Sequence, residues 1–598
     1  MPDKQQTFGQ FETPPDVADL LLAFCLRRAT DRVLDPSCGA GALLDRAARR
    51  QRWLAGNGQA NGPPGDALLW GVELETQAAA LAQERLPQAR IVRQNFFTME
   101  PAVPFDAIVG NPPYTRAEWL DRLQEEVGRQ MAMFDEASAS ETRRKQSLIP
   151  ARLWNKGLNR RAGLHTYFFL HGARFLREGG RFGFVLPNNW LDVGYGAALK
   201  QFLLEQFRLL ALIESTVERW FDDARVNTCL VILQKCSDVQ ERAAQPVRFV
   251  QLRRPLAALI DAAPGDAARF ERVEALASRL LPAEDRTSEA LRVRVAPQRS
   301  LHSGEKWGPF WRAPAVYHHV RRRSGAHKVA PLKQWAAVRR GYTTGANDFF
   351  YLDAEAVAEW GIEPRFRRPL LKSLRRADGL RLDSGAAAQE VLAIAPTDEV
   401  AGTAAARYVA WGESQGYHQR RTCRQRAPWY ALPAQEPPAL VLPKGIWTRH
   451  LAPLLQAPLL VDQQLYGVYL KPGAPREAAA ALLNSAWLAL QLELHGRVNF
   501  GEGVLWLAGY EVQNLLLPDP RYLSGAETDE LAALFAAVAA RPLAADVSDE
   551  LARPERQALD RAVFKLVGLS ETEGIVVVDS LLERVVARRT QARSVAGR

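Results

Sequence analysis

The tetrapeptide Asn111-Pro112-Pro113-Tyr114 follows directly on the apolar run FDAIVG (105–110), and its residue types suit one difficult piece of chemistry. An amino group conjugated to an aromatic ring is a poor nucleophile, because its lone pair is delocalised into the ring. The side-chain oxygen of Asn111 and the carbonyl of Pro112 can both accept from such an NH2 and draw the nitrogen towards tetrahedral geometry. Paired prolines stiffen the turn and remove backbone donors. Tyr114 offers a flat face on which the ring can stack. In isolation the same residues make an ordinary proline-rich turn after a strand, so their surroundings decide.

Three upstream segments share one theme. DPSCGAG (35–41) ends a short apolar run and opens a helical pattern, with Gly39 and Gly41 at the bend, where glycine lets backbone approach a ligand closely. GVELE (71–75) places Glu73 at the end of the next apolar run, where a carboxylate can accept from both hydroxyls of a ribose. QNFF puts Asn95 at the end of a third, placed to bond an adenine edge. The phosphate-cradling GxGxxG pattern is missing, so a nucleoside without a pyrophosphate fits better than a dinucleotide.

These positions need a scaffold, and the chain to about residue 236 supplies one. Short apolar runs at 31–36, 68–74, 89–94, 105–110, 181–187, 209–215 and 228–234 alternate with helical patterns, among them 16–29 and 167–180. The alternation predicts an α/β fold with a largely parallel sheet covered on both faces, and an antiparallel pair from the last two runs. Residues 115–162, including IPARLWNKGLNRR, interrupt the rhythm with far more chain than a usual loop. Four regions are therefore expected: a catalytic domain over 1–236, a connector over 237–310, a Trp- and Arg-rich domain over 311–520, and a helical segment over 521–598.

At 598 residues the chain exceeds what one core holds. Its formal charge of +10 suits a polyanionic partner, though charge alone does not establish one. Cys25, Cys38, Cys229, Cys236 and Cys423 are scattered and odd in number, and form neither a disulfide framework nor a zinc pattern. No apolar run approaches a spanning helix and the N-terminus lacks a leader's apolar core, so a cytoplasmic protein is expected.

The order GQFETPPDVADLL (9–21), DPSCGAG, GVELE, QNFF, NPPY and a long C-terminal region resembles the gamma class of DNA amino-methyltransferases, the TaqI-type and Eco57I-type adenine-N6 enzymes. The resemblance implies a Rossmann-like S-adenosylmethionine methyltransferase domain followed by a mixed α+β target-recognition domain. It implies that Thr13 holds the cofactor's methionine part and that Asp35, Pro36 and Ser37 line its pocket with Gly39 and Gly41. Glu73 and Leu74 would take the ribose side, Asn95 and Phe96 the cofactor's adenine, and Phe168 would pack nearby. Asn111, Pro112, Pro113 and Tyr114 become the catalytic turn. The segment 218–233 matches the part of the family carrying a second stacking aromatic, which assigns that role to Phe221, with the adjacent Trp220 as the alternative.

Two aromatics are wanted because a duplex base must be turned out at a cost of a few kcal/mol, and stacking returns about 1–3 kcal/mol per base. No strong base is required, since the amine proton can leave once nitrogen has become cationic. Cytosine-C5 methylation would need a nucleophilic thiol, and neither Cys38 nor Cys229 has the setting for one; no metal is expected.

APLKQWAAVRRGYTTGANDFFYL (330–352) resembles the TTGxNxxF signature opening the specificity region of these enzymes. Arg339, Arg340, Thr343, Thr344 and Asn347 are the DNA contacts it suggests, with further basic-aromatic clusters at 365–376, 417–433 and 444–450. The reading is thus a monomeric, site-specific adenine methyltransferase acting on double-stranded DNA in a restriction-modification or related defence system. A separate restriction endonuclease is its expected companion, since the motifs begin near residue 9 and leave no room for a preceding nuclease. The rivals are an RNA or protein amino-methyltransferase and a methyltransferase-like subunit of a larger defence complex.

Overall fold

The computed structural model describes residues 12–56, 67–114, 163–221, 227–260, 265–323, 328–498 and 503–596. The expected interruption at 115–162 lies outside them. The packing divides the chain into two units, Met1–Arg312 and Ala313–Arg598.

The first unit is built on a ten-stranded sheet. Its strands are β1 (Val33–Asp35), β2 (Leu69–Glu73), β3 (Arg90–Arg93), β4 (Phe105–Gly110), β5 (Leu176–Pro187), β6 (Phe207–Ser215), β7 (Thr228–Lys235), β8 (Pro246–Leu252), β9 (Arg286–Thr287) and β10 (Leu291–Pro297). They lie in the order β3-β2-β1-β4-β5-β7-β6-β8-β10-β9. β3 through β5 run parallel, and β7 inserts antiparallel between β5 and β6. The chain winds outward from β1 to β2 and β3, then returns to lay β4 on the other side of β1. At such a switch point the loops leaving neighbouring strands part, and a crevice opens beyond the carboxyl ends. DPSCGAG leaves β1 and NPPY leaves β4, so both motifs border that crevice.

All seven expected strands are present, and the last two form the antiparallel pair. The sheet continues beyond them, because β8 adds parallel to β6 and carries β10 and β9 outward. Residues 237–310 are therefore not a connector but the outer third of this sheet. Helix Asp266–Leu280 packs on helix α1 (Pro15–Cys25). Asp19, fully buried on α1, accepts from Arg46 at 2.7 and 2.8 Å and from Arg269 at 2.5 Å. A buried carboxylate persists only when paired and hydrogen-bonded in this way. The long helix expected over 167–180 is also shorter, ending at Gly172, with β5 starting at Leu176. Pairing of Leu176 with Phe105 overrides the helical pattern, and the register slips before Arg181 meets Ala107. Gly179, at φ 74°, turns the chain within that slip.

In the second unit a five-stranded sheet includes Ala336–Arg340 against Leu465–Leu470, and smaller sheets flank it. Helices Gly525–Ala539 and Glu571–Ala596 pack on Arg476–Leu483 and Ala486–His495 respectively. One core holds Trp335 and Trp487 together with Phe535, Leu559 and Leu581. The expected separate segment over 521–598 is thus part of this core, since its apolar faces have no other place to be buried. The Arg588 guanidinium, itself buried, holds Glu493 at 2.7 and 3.1 Å and pins the last helix. Among the described residues no helix is long and apolar enough to cross a membrane.

A fragment ending at Arg312 is expected to express as a cooperatively folding unit, whereas one ending near residue 240 strips β8 from β6 and leaves an unpaired apolar edge. Thermal denaturation and light scattering of the two fragments check this. Equal solubility and cooperativity would contradict the role assigned to β8–β10.

Candidate active site

The bend after β1 is built by two glycines in the left-handed region, Gly39 at φ 54° and Gly41 at φ 83°. Gly41 caps helix α2 (Ala42–Leu54), and a Cβ there would stand 3.3 Å from Ala82 and Leu86. The loop is fastened to β2 by one side chain. Glu73, 4% exposed, accepts from the backbone N–H of Gly39 at 2.9 Å through Oε2, and from those of Leu74 and Glu75 at 2.7 and 2.9 Å through Oε1. A carboxylate has about four acceptor positions, and the loop N–H groups use three of them. Glu73, expected on the ribose side, therefore spends most of its acceptor capacity on the bend itself. Leu74, beside it, is an exposed apolar side chain over which a purine or ribose face can lie.

Asp35, the last residue of β1, is buried and accepts from the N–H of Ser37 at 3.0 Å. Burial, with the Glu73 charge adding to it, pushes its carboxyl up to about 7. Burial raises Glu73 as well, against the opposing backbone bonds. Among the described residues the buried Ser37 hydroxyl finds no hydrogen-bond partner. Two crowded carboxyls and an unsatisfied hydroxyl fit a nucleoside that carries positive charge, and S-adenosylmethionine is such a group. Thr13 is buried just before α1. Asn95, after β3, spends its side-chain oxygen on the N–H of Phe97 at 3.0 Å. Phe96 and Phe168, expected along the same pocket, do come together, stacked at 5.6 Å and 10° with Phe97 edge-on to Phe168. Both rings are buried in the core of the sheet's other face.

The Asn111–Tyr114 turn is brought to Asp35 by a residue outside the motifs singled out in the sequence. A Cβ on Gly110, the last residue of β4, would stand 3.1 Å from Phe184 and 3.2 Å from the Asp35 carboxyl. The glycine therefore lets β4 deliver Asn111 beside Asp35. A signal for it does exist in the sequence, a residue without a side chain immediately before NPPY. Pro112 is buried and Asn111, Pro113 and Tyr114 are half-buried. Tyr114 meets Phe221 edge-to-face, centroids 6.1 Å apart at 87°. Trp220 instead sends its indole N–H to Glu218 at 3.3 Å. The geometry thus separates the two adjacent aromatics. Burial pushes the thiols of Cys38 and Cys229 up, so neither presents a thiolate. Among the described residues no group of His, Cys, Asp or Glu is arranged to hold a metal ion.

In the second unit, Arg339 and Arg340 are exposed at the end of their strand. Arg339 lies 4.9 Å over the Tyr469 ring and Arg340 donates to Gln463 at 2.6 Å. Thr343 is exposed, but Thr344 is fully buried. Its hydroxyl accepts from the N–H of Ala346 at 3.1 Å and donates to the side-chain oxygen of Asn347. Thr344 is therefore a turn-former rather than a DNA contact, and Asn347 commits its oxygen to the same turn. Arg426 donates to the Thr344 carbonyl at 2.6 Å, and Arg420 pairs with Asp348 at 2.8 Å. Parts of the basic cluster at 417–433 thus brace the signature.

Two family models match the chain, the Eco57I restriction-modification methylase over residues 73–221 and the C-terminal domain of the Type II methyltransferase M.Eco57I over 304–551. Together they span about two thirds of it. The Type II methyltransferase M.XamI of Xanthomonas campestris pv. amaranthicola is 25% identical over 451 residues, 72% of this chain and 70% of that protein. M.TthHB8I of Thermus thermophilus is 29% identical over 203 residues, 34% of this chain and 40% of that protein. The solved Type IIL restriction-modification enzyme MmeI, determined with DNA, shares the fold at a TM-score of 0.54 and 13% identity, covering 96% of this chain and 75% of that one.

Because the Asp35 carboxyl sits near 7 in the fold against an ordinary 3.8, the folded state holds its proton more tightly than the unfolded chain does. This residue's contribution is intact below pH 4, declines as pH rises from about 4 to 7, and is fully lost above that. Relative to wild type, Asp35→Asn should therefore gain thermal stability progressively over that range and level off beyond it. Melting curves of both proteins from pH 4 to 9 check this, and a constant difference would refute it.

Proposed function

The chain belongs to the Eco57I-type restriction-modification methylases, and on that premise we propose that it methylates the exocyclic amino group of an adenine turned out of double-stranded DNA, with S-adenosylmethionine as donor. The observation that carries the adenine-N6 assignment is the Asn111–Tyr114 turn, delivered by β4 to the switch-point crevice beside Asp35, with Tyr114 facing Phe221. When bound, the cofactor supplies an electrophilic methyl group next to a positive charge. Asp35 and Glu73 provide the negative surroundings for that charge, Glu73 also orients the ribose, and Ser37 contributes a buried hydroxyl in want of a partner. Asn111 and the Pro112 carbonyl accept from the target NH2 and fix its lone pair along one direction. The contribution is orientation and preorganised polarity, which in a water-poor site accounts for most of a rate enhancement.

Tyr114 and Phe221 receive the base. Their edge-to-face contact gives way to stacking when the base enters, which offsets part of the flipping cost. The neutral thiols of Cys38 and Cys229 speak against cytosine-C5 chemistry. The second unit reads the site, with Arg339, Arg340 and Thr343 on its exposed side, and a separate restriction endonuclease of the same specificity is the partner this activity implies.

Asn111→Ala should abolish transfer of labelled methyl to duplex DNA while leaving cofactor affinity within a few-fold. Calorimetry with S-adenosylmethionine separates the two effects, and equal loss of both would remove Asn111 from its role. Phe221→Ala should diminish the fluorescence rise of 2-aminopurine at the target position, and Trp220→Ala should leave it nearly unchanged. The reverse result would exchange their assignments.

A further inference from the structure

At the opposite, amino-terminal edge of the first unit's sheet, four arginines converge on a cavity of about 410 Å³. Sheet register puts three of its residues in one row across neighbouring strands: Arg181 on β5 pairs with Gln234 on β7, which pairs with Arg208 on β6. Arg248 lies near the start of β8, and Arg27 follows α1. Gln245, nearly fully buried, is held by Arg208 at 2.8 Å. We propose that this cavity is a second ligand site, built to bind a compact di- or triphosphate such as a nucleoside triphosphate.

Like charges do not gather in a half-buried pocket without a cost, and here little among the described residues offsets it. Arg27 and Arg181 form no ion pair with any of them. Arg248, almost buried, bonds the Pro246 carbonyl and leaves its Nε unpartnered. The one described carboxylate within reach is Glu241, exposed and 3.5 Å from Arg208. Burial pushes the Cys25 thiol up to about 12, so it carries no charge near neutral pH. Burial pulls Arg181 below its ordinary value, and the charges of Arg27 and Arg208 add to the effect, opposed only by a Cys25 thiolate that forms at high pH. Burial and Arg208 do the same to Arg248.

Guanidinium groups bind phosphate oxygens in bidentate, charge-assisted pairs. The cavity falls in the size range of small-molecule sites, and Phe24, Leu210 and Leu281 give it an apolar wall for a base or other ring. Arg181 pairs with Ala107, four residues before Asn111, so roughly 13 Å of strand separates the row from the catalytic turn. A free ligand therefore fits this place better than the target base or its own phosphates.

Calorimetry on the full chain with inorganic pyrophosphate and with ATP tests the site. Binding at millimolar concentration or below, weakened at least about tenfold in an Arg181→Gln, Arg248→Gln double variant, is the expected result. Both ligands should also raise the wild-type melting temperature more than sodium chloride of equal ionic strength. Without ligand the double variant should melt no lower than wild type, because it loses repulsion and no ion pair. Should it fold poorly, protection of Arg181 from phenylglyoxal by pyrophosphate in the wild type, mapped on peptides, carries the test. No binding by wild type, equal binding by the variant, or no protection overturns the proposal. So does a variant that loses duplex affinity when neither phosphate binds, which would assign the arginines to DNA. Methyl transfer measured in parallel distinguishes failure of this site from failure of the catalytic assignment.

Discussion

One buried carboxylate organises the crevice. Glu73 ends β2, yet it takes the N–H of Gly39 from the loop after β1 as well as the two N–H groups that follow it. A charge withdrawn from water must be compensated by hydrogen bonds, so the bend after β1 cannot drift from the end of β2 without exposing the cost. The loop's position decides where Asp35 and Ser37 stand, and Gly110 brings β4 against that same Asp35. The Asn111–Tyr114 turn is thus located by a chain of contacts that starts from Glu73, the residue proposed to orient the cofactor.

The second unit shows a related economy. Its basic-aromatic clusters read from the sequence as a surface for a polyanion, but several of these side chains work inside the fold. Arg420 and Arg426 hold Asp348 and the Thr344 carbonyl, and Arg449 donates to the carbonyls of Ala377, Leu374 and Arg375. A guanidinium with five donors can brace several carbonyls of irregular backbone at once. The exposed basic surface is accordingly narrower than composition suggests, and Arg339, Arg340 and Thr343 are on it. Around the cavity of the first unit Arg27 and Arg181 form no ion pair with any described residue, and that contrast is what marks them.

How far the residues alone speak depends on the range of the physics involved. The seven strands of 1–236, the glycine bend, the acid after β2 and the turn after β4 were all legible, because apolar period, glycine and proline act within a few residues of themselves. The order of motifs then carried the family. What local pattern could not carry was pairing between distant segments. It ended a helix at Gly172 that sequence would have run to 180, through the contact of Leu176 with Phe105. It turned a supposed connector into β8, β9 and β10 by laying Pro246–Leu252 beside β6. It drew the last helices into the core of the preceding residues, and it turned Thr344 inward, where its hydroxyl closes the turn. Likewise only tertiary structure separates the adjacent aromatics, sending Trp220 to Glu218 and Phe221 to Tyr114. It also set Arg27, Arg181, Arg208 and Arg248, spread over more than two hundred residues of chain, around one cavity. Sequence by itself determined which chemistry the chain could hold and where its strands lie; the folded packing decided which side chains remain free to perform it, because burial and long-range register are properties of neighbours in space.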